Sequence, residues 1–88
     1  TLNKRKGNIM LYHIVLYTLK VNGKIDQRDV ISLAYKNQED ARAFVEACIK
    51  QDLEKGYMRT SDQDKVVKRT GNNTFVIEYQ INVITAVN

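Results

Sequence analysis

Apolar residues crowd the stretch Ile9-Met-Leu-Tyr-His-Ile-Val-Leu-Tyr-Thr-Leu-Lys-Val21 on both alternating sets of positions. Its β-branched and aromatic content predicts a strand. It ends at Asn22-Gly23, whose residues tolerate the positive φ of a two-residue hairpin turn. A surface strand alternates apolar with polar residues. This one does not, so each of its faces needs a cover. Counting back from the turn pairs Val21 with Lys24, Lys20 with Ile25, Leu16 with Asp29, Ile14 with Ile31 and Tyr12 with Leu33. The second strand then runs from about Gln27 to Tyr35. This register places Met10, Tyr12, Ile14, Leu16, Ile31, Leu33 and Tyr35 on one face, the expected core face. Leu11, His13, Val15, Tyr17, Leu19, Arg28, Val30, Ser32 and Ala34 fall on the other.

The period then changes. Ala41, Phe44, Val45, Cys48, Ile49 and Leu53 recur at helical spacing. Asn37 is a suitable N-cap, Glu39 and Asp40 suit the first turn, and Gly56 suits the C-terminal cap. The pattern predicts a helix over Gln38 to Lys55, with Arg42, Glu46, Lys50 and Glu54 in water. Gly56 to Asp64 reads as a polar connection. Lys65 to Thr70 reads as a short strand, and Gly71-Asn72-Asn73 as a turn. From Thr74 to Val87, Phe75, Ile77, Tyr79, Ile81 and Val83 alternate with Thr74, Glu78, Gln80 and Asn82, as in a strand with one buried and one wet face. The last strand exceeds its hairpin partner by several residues. Its overhang pairs with the first strand, pairs with another chain, or frays.

The order ββαββ predicts an α+β two-layer sandwich: a four-stranded, largely antiparallel sheet with one helix packed on one face. One helix covers one side, which leaves the odd-numbered face of the first strand open. An open apolar face of this kind marks an interface.

Eighty-eight residues make one domain, and no stretch reads as a linker or repeat. Residues 1–9 form a basic polar extension, expected to be poorly ordered, and residues 10–88 the domain. The single Cys excludes an internal disulfide and points to a reducing, cytoplasmic setting. The apolar run of the first strand is broken by His13, Thr18 and Lys20, too early for a membrane span. The net charge of +4 is unevenly spread. Residues 1–25 hold five basic residues and no acid, residues 26–64 are net acidic, and residues 65–88 are again basic.

Chemistry-bearing groups are sparse. His13 is the sole histidine and has no companion at ligand spacing, so it is read as structural or interfacial. Cys48 sits within the apolar stripe and has no second histidine to activate it. Asp62-Gln63-Asp64 opens like a calcium loop, but Val66 and Val67 stand where oxygen ligands belong. Asp26 and Asp29 fall on different strand faces and make no acid–base pair. No phosphate loop, cofactor motif or convergent catalytic set is present.

The first expectation is therefore a small non-catalytic interaction module that forms a homodimer or binds a partner protein. The uncovered face or edge of the first hairpin would carry it, through Leu11, His13, Val15, Tyr17, Leu19 and Val30. The alternative is a nucleic-acid-binding module using Lys4, Arg5, Lys6, Lys20, Lys24, Arg28, Lys68 and Arg69. Tyr17 opposite Arg28 would serve base stacking. No cofactor, metal or small-molecule substrate is expected. The stretch Ala34-Tyr-Lys-Asn-Gln-Glu-Asp-Ala-Arg-Ala-Phe44 resembles the strand-to-helix step of arm-type DNA-binding domains in integrases. Those domains place three strands before the helix where this chain places two, so no residue role carries over. Size, basicity and sparse chemistry also look like accessory proteins of phages and mobile elements.

Overall fold

Asn22 and Gly23 take φ of 51° and 85°, and the chain folds back there into the expected hairpin. The computed structural model describes residues 9–61 and 64–87. In chain order it holds β1 (Ile9–Val21), β2 (Lys24–Val30), α1 (Gln38–Glu54), β3 (Met58–Arg59), β4 (Lys65–Thr70) and β5 (Asn73–Val87). The five strands form one antiparallel sheet in the order β2-β1-β5-β4-β3. The α+β class with a single helix is as expected, but the sheet has five strands rather than four. The extension proposed for residues 1–9 lies outside the described residues except for Ile9, which pairs with Val87.

The extra strand follows from how the helix ends. Gly56 takes φ of 97°, which only glycine adopts without strain, and the Tyr57 N–H returns to the Asp52 carbonyl. The chain is thereby turned back along β4, where Met58 pairs with Val67 and Arg59 with Val66. Two paired residues leave no periodic signal, so this segment read as a connection.

The helix spans the expected residues to within one position. Asn37 is its N-cap, although its side chain makes no capping bond and its backbone carbonyl accepts from the Asp40 N–H instead. Ala41, Val45 and Ile49 are buried as the stripe requires. Leu53 is exposed, and Asp52 is buried in its place.

The faces of β1 are the reverse of those expected. Val15 has 0% of its surface in water, and Tyr17 and Leu19 pack against the same core as Ala41, Val45, Ile49, Val66, Ile77 and Tyr79. The odd-numbered face of β1 is therefore the helix-covered face, and Leu33, expected in the core, is 75% exposed. The cause is β5. Ile77 and Tyr79 are buried and Phe75 and Ile81 half-buried as its alternation predicts, although Val83, expected on the same buried face, is exposed. β5 pairs along all of β1, with Val15 opposite Ile81, Tyr17 opposite Tyr79 and Leu19 opposite Ile77. Directly opposed residues share a face, so odd partners carry the odd set of β1 under the helix.

β2 departs from the expected register after two pairs. Lys20 pairs with Ile25, but Leu19 pairs with Gln27, leaving Asp26 as the extra residue of a bulge. Leu16 then faces Val30 rather than Asp29, and β2 ends there. The chain continues irregularly beside β1: the Ser32 hydroxyl accepts from the Val15 N–H, and Tyr35 exchanges two backbone hydrogen bonds with His13.

Candidate interaction surface

The expected interface residues do not share one surface. Val15, Tyr17 and Leu19 belong to the core, with the Tyr17 ring 5.9 Å from that of Tyr79. The helix already occupies their face, which leaves them inside the fold and not at a contact surface. His13 lies on the same side, half-buried, with Nδ1 buried and without a hydrogen-bond partner. Leu11 shares that side but remains 56% exposed. Val30 is exposed on the opposite face, beside Leu16.

What the structure does bring together is an apolar ribbon. Beyond Leu16, β1 has no β2 residue beside it, and beyond Glu78, β5 has no β4 residue beside it. Among the described residues, 9–12 and 84–87 pair only with each other. Ile9, Leu11, Val83 (56%), Ile84 (40%) and Val87 (65%) all stand in water there. At the root of the ribbon, on the face away from the helix, half-buried Tyr12, Ile14 and Leu16 continue the apolar surface towards Val30.

The other half of that face is polar. Thr18, Lys20, Arg28, Lys65, Glu78 and Gln80 line an open depression of about 640 Å³. Glu78 accepts from the Lys20 ammonium at 3.2 Å and lies 3.8 Å from that of Lys65. The cations proposed for nucleic acid are divided. Lys4, Arg5 and Lys6 lie outside the described residues. Lys20, Arg28 and Arg69 belong to the uncovered face, as their pairing with Val76, Thr18 and Thr74 shows. Lys24 and Lys68 pair with Val21 and Phe75 and so belong to the helix side. There the Lys68 ammonium donates to the Lys55 carbonyl at 2.8 Å and stands 5.6 Å over the Tyr57 ring.

Two polar arrangements escaped the sequence reading. Under the helix, the Tyr79 hydroxyl donates to Asp52 Oδ2 at 2.5 Å, with both residues buried. Burial first, then this bond, pushes the Tyr79 pKa well above the usual phenol range. The visible signal was position: Asp52 stands four residues after Cys48 and three after Ile49, within the apolar stripe. On the surface, Asp64 and Glu46 bridge Arg42 and Arg59. Arg42 grips Asp64 with both terminal nitrogens, and Arg59 grips Glu46 with two bonds of 2.9 Å. The Arg59 bonds hold the Glu46 carboxyl below its usual range. This network fastens α1 to β3 and to the segment before β4. The second aspartate of the would-be calcium loop is thus engaged by Arg42, and Asp62 and Gln63 lie outside the described residues.

Burial, together with the charge of Asp52, pushes the Cys48 thiol up and disfavours its reactive thiolate. Among the described residues no group of three metal-ligating side chains occurs, and no helix is long and apolar enough to cross a membrane. No protein-family model matches the chain, and comparison with curated proteins and with solved structures finds no match.

Proposed function

We propose that this protein is a non-catalytic interaction module that engages another protein chain through the apolar end of its β1–β5 ribbon. The observation that carries the reading is the gathering of Ile9, Leu11, Val83, Ile84 and Val87 in water on a segment that is two-stranded among the described residues. An isolated two-stranded ribbon is marginally stable in water and gains from a covering partner. Ile84 lies on the face away from the helix and the other four on the helix side, so the ribbon end is apolar on both faces. Exposed apolar surface is where small proteins associate. The adjoining Tyr12, Ile14, Leu16 and Val30 extend the contact. This moves the interface from the middle of β1 to its free end and exchanges the odd-numbered central residues for the ribbon. The nucleic-acid reading is the weaker one, because its cations divide between the two sides of the sheet and Lys20 and Lys68 already have partners.

The test is site-specific photocrosslinking in the native cells, with a photoreactive residue at Ile84 and, as control, at exposed Lys50 on the helix. A protein adduct from position 84 well above that from position 50 is the expected result. Equal or absent adducts overturn the proposal.

A further inference from the structure

We infer that the partner is a second copy of this chain, joined edge to edge along the free half of β5 about a two-fold axis at Ile84. The inference rests on the interaction-module reading and specifies its partner.

The free edge is defined by hydrogen-bond direction. The Tyr79 N–H donates to the Asp64 carbonyl, on the β4 side, at 2.9 Å. Peptide groups alternate along a strand, so those of Ile81, Val83, Thr85 and Val87 point the same way. β4 has ended by then, with Lys65 opposite Glu78. No backbone bond within the described residues meets these groups. Four consecutive outward-facing residues therefore present donors and acceptors as a ready template for another strand.

The edges formed by β2 and β3 are defended, and the outer edge of β1 beyond its bridge to Tyr35 is four residues long, Ile9 to Tyr12. β2 carries Lys24, Asp26, Arg28 and Asp29 along seven exposed residues and is interrupted by its bulge. β3 is two residues long, and Arg59 is held by Glu46. Charges, bulges and shortness are the usual means of preventing edge pairing. Gln80-Ile-Asn-Val-Ile-Thr-Ala-Val87 has none of them: no charge, no proline and no glycine.

The strand is complementary to itself. A two-fold at Ile84 sets Ile84 against its own copy, Val83 against Thr85, Asn82 against Ala86 and Ile81 against Val87. Every pair is uncharged, and most are β-branched on both sides, which suits cross-strand packing. Odd positions meet odd positions, so the outward-pointing peptide groups face one another and form about eight hydrogen bonds. The axis is also bounded by the fold. β4 blocks the edge up to Tyr79, and only an axis near the centre of residues 80–87 uses the whole free stretch. The two sheets become continuous, with both helices on the same side, and Val83, Ile84 and Val87 acquire neighbours.

The experiment is sedimentation equilibrium of the full chain. The parent is expected at twice its 10.2 kDa mass at about 100 µM, in the range where a micromolar dimer is populated. Ile84→Lys and Ile84→Glu each set like charges across the axis and are expected to weaken the dimer at least about tenfold. An equimolar mixture of the two restores it. Thr85→Pro removes an N–H that points away from β1, so it preserves the β1–β5 ladder while blocking the edge. It is expected to be monomeric with an unchanged circular dichroism spectrum. A monomeric parent overturns the inference, as does a folded Thr85→Pro dimer or a charge-reversed mixture that stays monomeric. If any of these occurs while Ile84 still gives photoadducts to a different protein, the module reading stands and only the choice of partner falls.

Discussion

Val15 and Leu11 lie on the same strand and the same face, four residues apart, and live in different solvents. Val15 sits beneath the helix with no surface in water, whereas Leu11 is more than half exposed. The difference is reach. A seventeen-residue helix extends about 26 Å, while a fifteen-residue strand extends about 50 Å. The helix and the inner strands build a body with a core, and the remaining length of β1 and β5 protrudes without one. Apolar side chains stabilise the body by leaving water. In the ribbon they make no such contribution until something covers them.

That contrast predicts its own largest test. Val15→Asp buries an unpaired charge and is expected to cost about 3–5 kcal/mol, most of the stability of a small domain. Leu11→Asp leaves its charge in water and is expected to shift monomer stability by about 0.5 kcal/mol or less. Denaturant unfolding of the two variants measures the gap, and equal losses would show that the ribbon is part of the cooperative core.

The next effect belongs to the body alone. Tyr79→Phe leaves buried Asp52 without its donor and is expected to cost about 1–3 kcal/mol. Its pH dependence has a defined sign. The folded state raises the Tyr79 pKa above its ordinary value of 10.0, so the proton is held more tightly folded than unfolded. That contribution is fully present below about pH 10 and is lost as pH rises towards the folded value. Parent and variant should therefore differ by a constant amount below about pH 10 and by progressively less above it in urea unfolding. A gap that widens with pH would contradict the buried pair.

Gly56→Ala places a methyl group where φ is 97°, near the Lys68 side chain but not crowded by it. Backbone strain dominates, and a loss of about 1 kcal/mol is expected in a thermal melt. The smallest effect is Glu46→Ala. Glu46 is half exposed and its pairs with Arg59 and Arg42 are screened, so a loss below about 1 kcal/mol is expected, shrinking further in high salt. Since Arg59 depresses the Glu46 pKa, this contribution is present near neutral pH and fades as pH falls through the carboxylate range.

Much of the architecture was legible from local chemistry. The Asn22-Gly23 and Gly71-Asn72 turns, the helix from Gln38 and the buried parity of β5 each depend on neighbours a few residues away. The candidate surface was less legible. Its exposure depends on where α1, β2 and β4 stop relative to β1 and β5, and those limits involve residues far apart in the chain. Asp52 was missed for a related reason: its partner Tyr79 stands 27 residues away, and nothing nearby in the chain marks it as a buried acid.

The sequence by itself determined the turns, the helix and the alternation of β5, because turn dihedrals and side-chain periods are local properties. It left β1 undecided, since a strand apolar on both faces carries no period with which to choose its own cover. Only the tertiary structure decided that choice. The register with β5 paired odd positions with odd and turned Val15, Tyr17 and Leu19 under the helix, while the bulge at Asp26 reset β2. The same long pairing carried β1 and β5 past the end of the helix and left their apolar ends uncovered.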